Sequence, residues 1–333
     1  MSTKEATIKD IARKAGVSYA TVSRALNGKY GVKPSTRERI LGIAHRLGYR
    51  PNAIARGLVT RRTMTIGLIV PDITNPFFPE VAEGVEEAAH EAGYGVLLCN
   101  SNWQKVSERQ YVALLAGRRV EGIIIAPISR VEEPVDDRVP AALPVVYVSS
   151  TPRTTSRSYV VIDNVQGGYL ATKHLLDAGR GPVAFIGSRE SADDERFEGY
   201  RRALEDHGVA CDERFVRLGD MRQASGYRLF RAMIADGDCP RSVFAENDLM
   251  ALGCMQAARE RGLRIPEDVA IVGFDDIPFA SFPEVQLTTI RQPTSEMGRM
   301  AVDILLSCVA RAAGRHESRQ VVLKPQLVVR RTA

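Results

Sequence analysis

From residue 66 to residue 274, short apolar runs alternate with amphipathic stretches of helical spacing. The runs are Ile66 to Val70, Val96 to Cys99, Gly122 to Ala126, Pro144 to Val148, Val160 to Asp163, Val183 to Gly187, Val243 to Ala245 and Ala270 to Phe274. Strands that alternate with helices build parallel sheets, because a parallel pair needs a crossover connection and the helix supplies it. Eight such runs are enough for two doubly wound α/β subdomains with a cleft between them. Ligands bind such sheets at the carboxyl ends of the strands.

The rest of the chain follows a different logic. Residues 1–62 hold 14 Lys and Arg against 3 Asp and Glu, a net of +11, whereas the whole chain carries only +5. The remaining residues are therefore net −6, so a basic head is joined to a mildly acidic body. That split is the footprint of a nucleic-acid module on a partner domain that does not bind nucleic acid. No apolar stretch approaches the roughly 18 residues of a membrane span, and Met-Ser-Thr-Lys-Glu opens the chain without a signal-peptide core. We expect a cytoplasmic protein with no membrane partner. Five scattered cysteines with no Cys-x-x-Cys pair argue against a disulfide framework or a zinc site, and read as reduced and mostly buried thiols.

The head resolves into three helices. Thr7-Ile8-Lys9-Asp10 places a cap before the apolar positions Ile8, Ile11, Ala12 and Ala15, and Gly16 stops the run. Ser18 caps a second helix, Tyr19 to Leu26, which Asn27-Gly28 ends. Two short helices around a Gly-containing turn form a helix-turn-helix. At about 100° per residue, Tyr19, Ala20, Ser23, Arg24 and Asn27 share one face of the second helix, and Val22, Ala25 and Leu26 take the other. The outward face suits base reading: Arg24 can donate a bidentate pair to guanine, Ser23 and Asn27 can bond bases or phosphates, and Ala20 can meet a thymine methyl. Ser35-Thr36-Arg37-Glu38 forms a capping box for a third helix that carries Ile40, Ile43, Ala44 and Leu47 and stops at Gly48. Lys29, Lys33, Arg37 and Arg39 flank it as phosphate contacts, which position without specifying.

These residues resemble the lactose-repressor and galactose-repressor (LacI/GalR) family of bacterial transcription regulators. The likeness rests on Ile8-Lys9-Asp10-Ile11-Ala12, Ala15-Gly16-Val17-Ser18 and Ala20-Thr21-Val22-Ser23-Arg24-Ala25-Leu26-Asn27. It continues through Gly48-Tyr49-Arg50-Pro51-Asn52, Asn75-Pro76-Phe77-Phe78, Asp163-Asn164, Arg196 with Gly199-Tyr200, Asn247-Asp248 and Gly273-Phe274-Asp275-Asp276. The resemblance implies an all-α helix-turn-helix head (1–50), a hinge helix and linker (51–63) and an effector-binding and dimerisation domain (64–333) of two α/β subdomains, similar to the type I periplasmic sugar-binding fold. It implies a homodimer on a pseudo-palindromic double-stranded operator, with a small-molecule effector controlling the affinity, and repression as the sign of control.

The same resemblance assigns residues. Thr7, Lys9, Ser18, Tyr19, Ala20, Thr21, Ser23, Arg24, Asn27 and Lys33 would face DNA, with Tyr19, Ala20 and Arg24 at base-reading positions. In the hinge, Asn52 can cap the short run Ala53 to Leu58, where Gly57 leaves a helix of about two turns marginal on its own. Asn52, Ala55 and Leu58 would order on DNA, and Leu58 would wedge a minor-groove base step. In the body, Phe77 and Phe78 would form a wall, Arg196 and Asn247 would donate hydrogen bonds, and Asp275 would accept them. Asn75, Asp163, Met221 and Gln292 would border the pocket. Donors and acceptors beside aromatic walls suit a sugar, a sugar derivative or a nucleobase-like metabolite.

Three function classes compete: a ligand-gated DNA-binding regulator, a solute-binding protein serving a transporter, and an α/β enzyme with a nucleic-acid module. Transport would need an export signal and leaves the basic head unexplained. An enzyme would show a catalytic constellation, yet no Gly-x-Gly-x-x-Gly, phosphate loop, His-Glu-x-x-His or Gly-x-Ser-x-Gly occurs. Scattered histidines suggest no metal, and no cofactor is expected. The run Val321 to Arg330 reads as closing strand material with no heptad repeat, so a dimer is expected rather than a tetramer.

Overall fold

The computed structural model describes residues 6–26, 28, 30–49, 62–128, 135, 140, 142–152, 155–188, 195–310 and 318–333. The chain divides into two compact units, Met1–Thr63 and Met64–Ala333.

In the first unit, α1 (Ile8–Ala15), α2 (Tyr19–Leu26) and α3 (Pro34–Arg46) close over Ile11, Ala12, Ala15, Val22, Ala25, Ile40, Ile43 and Ala44. The caps follow local chemistry. Asp10 N–H donates to the Thr7 hydroxyl at 3.4 Å and the Asp10 carboxylate accepts the Thr7 N–H at 3.0 Å, which completes a capping box. Gly16, left-handed at φ 62°, ends α1. Ser18 Oγ accepts the Thr21 N–H at 3.2 Å to start α2. The third helix departs from expectation. It begins at Pro34, with Lys33 before it and no side-chain cap, so the Ser35 capping box is not its start. Proline supplies a helical φ and lacks an N–H that would be unbonded in the first turn anyway, so it extends the helix beyond the box.

In the second unit, β1 (Thr65–Val70), β2 (Gly95–Asn100), β3 (Ile123–Ile125), β4 (Val145–Val148), β5 (Ser158–Ile162) and β11 (Gln320–Leu323) form a sheet in the order β2–β1–β3–β4–β5–β11, parallel throughout. A second sheet has the order β7–β6–β8–β9–β10–β12. Its strands are β6 (Val183–Ser188), β7 (Val216–Gly219), β8 (Ser242–Ala245), β9 (Ala270–Asp275), β10 (Thr288–Arg291) and β12 (Gln326–Val328), and only the β10–β12 pair is antiparallel. Helices α4 (Phe77–Glu91), α5 (Lys105–Gly117) and α10 (Thr294–Ala310) pack on the first sheet. The second sheet carries α6 (Asn164–Asp177), α7 (Glu195–Asp206), α8 (Gln223–Ala235) and α9 (Asp248–Glu260).

All eight strand expectations correspond to strands, and two strands lack an apolar signature. β7 is a half-buried edge. In β10, threonines sit in the core because their hydroxyls are bonded: Thr289 donates to Asp248 Oδ1 at 2.6 Å and Thr288 to the Ala333 carbonyl at 3.2 Å. The expected single closing run divides at Lys324-Pro325, with β11 joining the first sheet and β12 the second. The chain thus crosses between subdomains three times: after β5, after β10 and between β11 and β12. The cysteine expectation needs correction. All five thiols are free, but Cys211 and Cys239 are exposed and only Cys254 is fully buried. Small side chains tolerate exposure on polar loops where nothing apolar lies above them.

Glycines set the helix spacing near the cleft. A Cβ on Gly168 of α6 would lie 2.1 Å from the Arg196 carbonyl, and one on Gly199 of α7 would lie 2.0 Å from the Val165 carbonyl. The two helices therefore touch backbone to backbone, which carries Arg196 under the carboxyl end of the sheet.

Candidate functional site

In the head, α2 presents the chemistry expected of it. Tyr19 is 62% exposed and Arg24 is exposed, Ala20, Thr21 and Ser23 are half-buried, and Val22 and Ala25 are sealed in the core. Thr7, Lys9, Ser18 and Lys33 are also exposed. The hydroxyls of Thr7 and Ser18 are engaged locally, Thr7 with Asp10 at 2.7 Å and Ser18 with Thr21 Oγ1 at 2.9 Å. Asn27, Asn52, Ala55 and Leu58 lie outside the described residues.

In the body, the carboxyl ends of both sheets gather most of the expected ligand residues, and most are buried. The Arg196 guanidinium lies 3.7 Å from the Phe274 ring centroid, donates from Nε to Asn164 Oδ1 at 3.0 Å and from Nη1 to the Glu246 carbonyl at 2.6 Å, and stands 3.7 Å from Asp275 Oδ1. Asp275 accepts the Gln292 amide N–H at 2.7 Å. Its backbone is strained: Asp275 and Asp276 have φ of 117° and 59°, a combination that persists where surrounding structure holds it and that clusters at functional sites. Burial pushes the Asp275 carboxyl up to about 7, against the opposing pull of Arg196 and the Gln292 bond.

Among the described residues, the buried Oε1 of Gln292 has no hydrogen-bond partner. It is an acceptor waiting for a donor, and a buried unpaired acceptor of this kind costs about 1–3 kcal/mol. Phe77 and Phe78 pack edge to face at 5.1 Å, both buried, on the first turn of α4.

Three expected ligand residues are occupied with backbone. Asn247 accepts the Met250 N–H at 2.8 Å and donates to the Met221 carbonyl at 2.9 Å. Asn75 accepts the Phe77 N–H at 3.2 Å. Asp163 is exposed, accepts the Gln166 N–H at 2.8 Å, and lines a cavity of about 300 Å³ with Tyr159, Asn164, Glu195 and Gln320. Asp163 and Asn247 are the N-caps of the helices that follow β5 and β8, a position where Asn and Asp are strongly preferred, so these two side chains answer the local demand first. Met221 is half-buried and contributes its carbonyl.

The structure adds groups that pattern alone did not mark. Asp248 is fully buried between Thr289 and the Ile277 N–H at 2.9 Å, and burial raises its carboxyl well above the usual range. Asp276 binds Arg291 and Arg330, each at 2.6 Å. Glu80, on the first turn of α4, accepts the Thr294 hydroxyl at 2.9 Å, and burial raises its pKa too. Asp248 and Asp276 lie inside the runs Asn247-Asp248 and Gly273-Phe274-Asp275-Asp276, which by themselves assigned them no role. Glu80 carried no signal, because only the packing of α4 against α10 brings it to Thr294.

Residues 7–52 match the lacI family of bacterial regulatory proteins, and residues 172–333 match a periplasmic binding protein-like domain. Catabolite control protein A of Priestia megaterium is 37% identical over 302 residues, covering 90% of this chain and 91% of its own length. The transcriptional repressor PurR of Photobacterium profundum is 35% identical over 331 residues, 98% of each chain. The chain belongs to the lacI family of bacterial regulatory proteins. It is accordingly a DNA-binding transcription regulator and not an enzyme. Among solved structures, the Lac repressor dimer bound to operator and the anti-inducer ONPF superposes with a TM-score of 0.86 at 28% identity, covering 99% of both chains. The complex of the regulator CelR with cellobiose gives 0.74 at 33% identity, covering 98% of this chain and 100% of its own. These matches extend over the helix-turn-helix and both α/β subdomains of this lacI-family regulator.

Proposed function

We propose that this lacI-family regulator is a homodimeric repressor whose two heads bind a pseudo-palindromic operator, and whose cleft takes an uncharged, hydroxyl- or N–H-bearing small molecule that changes operator affinity. The observation that carries the ligand class is the buried Oε1 of Gln292 beside Asp275, an oxygen with no partner among the described residues. It calls for a donor. Arg196 is already committed to Asn164, Glu246 and Phe274, while Glu80 and Asp275 are acids whose neutral forms burial favours. An anionic sugar phosphate would have to draw Arg196 away from these partners, whereas a neutral sugar or a nucleobase supplies the donors. The relatives support the class: CelR was solved with cellobiose, and a lacI-family regulator from Enterococcus faecium was solved with ribose.

The α2 face with exposed Tyr19 and Arg24 and half-buried Ala20 and Ser23 supports half-site reading. One head covers only a half-site, so symmetric operators call for a two-fold dimer. Residues 51–63 join reader to sensor in this reading, with Asn52, Ala55 and Leu58 as the segment that orders on DNA. Acting on a chromosome places the protein in the cytoplasm, and no helix among the described residues is long and apolar enough to cross a membrane.

A thermal-shift panel of cellobiose, ribose, hypoxanthine and glucose 6-phosphate tests the ligand class, since a molecule that binds the folded state raises its apparent stability. Stabilisation by a neutral compound is expected; stabilisation by the phosphate alone would overturn the reading. Selection from a random duplex pool should yield an inverted repeat. Leu58→Ala should weaken binding to that repeat, and unchanged affinity would remove the wedge.

A further inference from the structure

The carboxyl end of β2 turns through Ser101, Asn102 and Trp103, and both Asn102 and Trp103 are left-handed, at φ 52° and 57°. Two successive non-glycine residues in that region are kept only where the surroundings hold them. Here the bonds are present. Ser101 N–H donates to the Val70 carbonyl at 2.9 Å, Trp103 N–H to the Pro71 carbonyl at 3.1 Å, and Gln104 N–H to the Ser101 carbonyl at 3.0 Å. The Trp103 indole N–H donates to the buried Asp72 carboxylate at 3.4 Å, and its ring meets Phe78 edge-on at 6.3 Å. The turn is therefore fixed to the first subdomain beside the aromatic wall.

Across from it stands a residue of the second subdomain. Arg222 Nη2 donates to Asn102 Oδ1 at 3.3 Å, joining positions 120 residues apart. Arg222 is itself held: its N–H donates to Asp220 Oδ1 at 3.0 Å, and its neighbour Met221 accepts the Asn247 amide at 2.9 Å. One end of the bridge thus leads to Phe78 and the other to Asn247, on the two sides of the cleft.

We propose that Asn102 and Arg222 form a latch across the mouth of the effector cleft, holding the two subdomains at this separation with Trp103 folded in behind the contact. The ligand role of the cleft rests on the preceding reading; the latch itself does not require a ligand. Because this contact is exposed to water, it contributes little, so it can open and re-form without disturbing either subdomain. Its position gives the turn a purpose that packing alone does not: the strain aims Asn102 at Arg222.

Trp103 is the chain's only tryptophan, so fluorescence excited selectively at tryptophan, beyond the tyrosine absorption, reports on the surroundings of this turn. Arg222→Ala should raise the acrylamide quenching constant about twofold and red-shift the emission, with the urea midpoint unchanged. Asn102→Asp places a carboxylate opposite the guanidinium without disturbing the left-handed backbone, which Asp tolerates. It should lower the quenching, and 1 M salt should abolish that decrease. Unchanged quenching in Arg222→Ala, or increased quenching in Asn102→Asp, would overturn the latch. A fall in the urea midpoint of Arg222→Ala would assign the residue to packing and overturn it equally. All of these are read without ligand, so failure of the thermal-shift panel and failure of the latch remain distinguishable.

Discussion

In the head, the groups placed toward DNA stand outside a small apolar core, whereas in Met64–Ala333 the groups placed toward a ligand are buried and bonded to one another. Tyr19 and Arg24 are exposed while Val22 and Ala25 do the packing. Arg196, Asp275, Gln292 and Asn247 are each less than a tenth exposed, so the residues proposed to meet a ligand also hold the fold together. The difference teaches that reading and folding are separable in the first unit and coupled in the second. A base-reading side chain must project into a groove, and water solvates it until then. A ligand-facing side chain must be desolvated and oriented in advance, and only a network of partners makes that tolerable.

The largest effect that could break this contrast lies at the helix contact beneath Arg196. Gly168→Val would force a side chain into the Arg196 carbonyl, and we expect the body to lose more than about 4 kcal/mol, the range reserved for severe steric conflict. Urea unfolding followed by the fluorescence of Trp103 reads this, and a loss below about 1 kcal/mol would contradict the close backbone approach. Next comes Arg196→Ala, which strips a guanidinium from Phe274, Asn164 and the Glu246 carbonyl and should cost about 3 kcal/mol.

A smaller, pH-dependent effect sharpens the comparison. Asp275 is an acid whose pKa in the folded protein is raised to about 7. The stability it contributes is complete below the unfolded carboxylate range and is lost as pH rises through about 7, because the buried group must then ionise. Asp275→Asn keeps the acceptor for Gln292 and removes that loss. The urea midpoint of the variant relative to wild type should therefore rise between pH 5 and pH 8, and a pH-independent difference would argue against the assignment.

The smallest expected effect on stability is at Arg24. Arg24→Ala should change unfolding by less than about 0.5 kcal/mol while weakening operator binding by about 1–3 kcal/mol, measured by anisotropy at fixed salt. A comparable loss of stability would erase the distinction between the two regions.

Legibility in the sequence followed the same division. The boundaries of α1 and α2 could be read residue by residue, because caps and left-handed glycines act within a few positions and their chemistry is local. Apolar strands were equally visible, since a strand buried on both faces announces itself as a run. β10 was not, because Thr288 and Thr289 are core residues only by virtue of bonds to Ala333 and Asp248. In the same way, Asn75, Asp163 and Asn247 could be marked as polar residues following strands, but only the tertiary structure shows Asp163 and Asn247 capping helices and Asn75 accepting the Phe77 N–H.

By itself, then, the sequence determined the basic three-helix head, the outward face of α2, the α/β alternation of the body and the polar residues that follow its strands. These are properties of periodicity, charge and short-range capping, which act between neighbours along the chain. Only the tertiary structure decided that the closing run is shared between two sheets, that Glu80 meets Thr294, that Gln292 is left with an unpaired acceptor, and that Asn102 reaches Arg222. Each depends on segments far apart in sequence being brought together by the packing of helices on sheets, and no local pattern encodes a distance across a cleft.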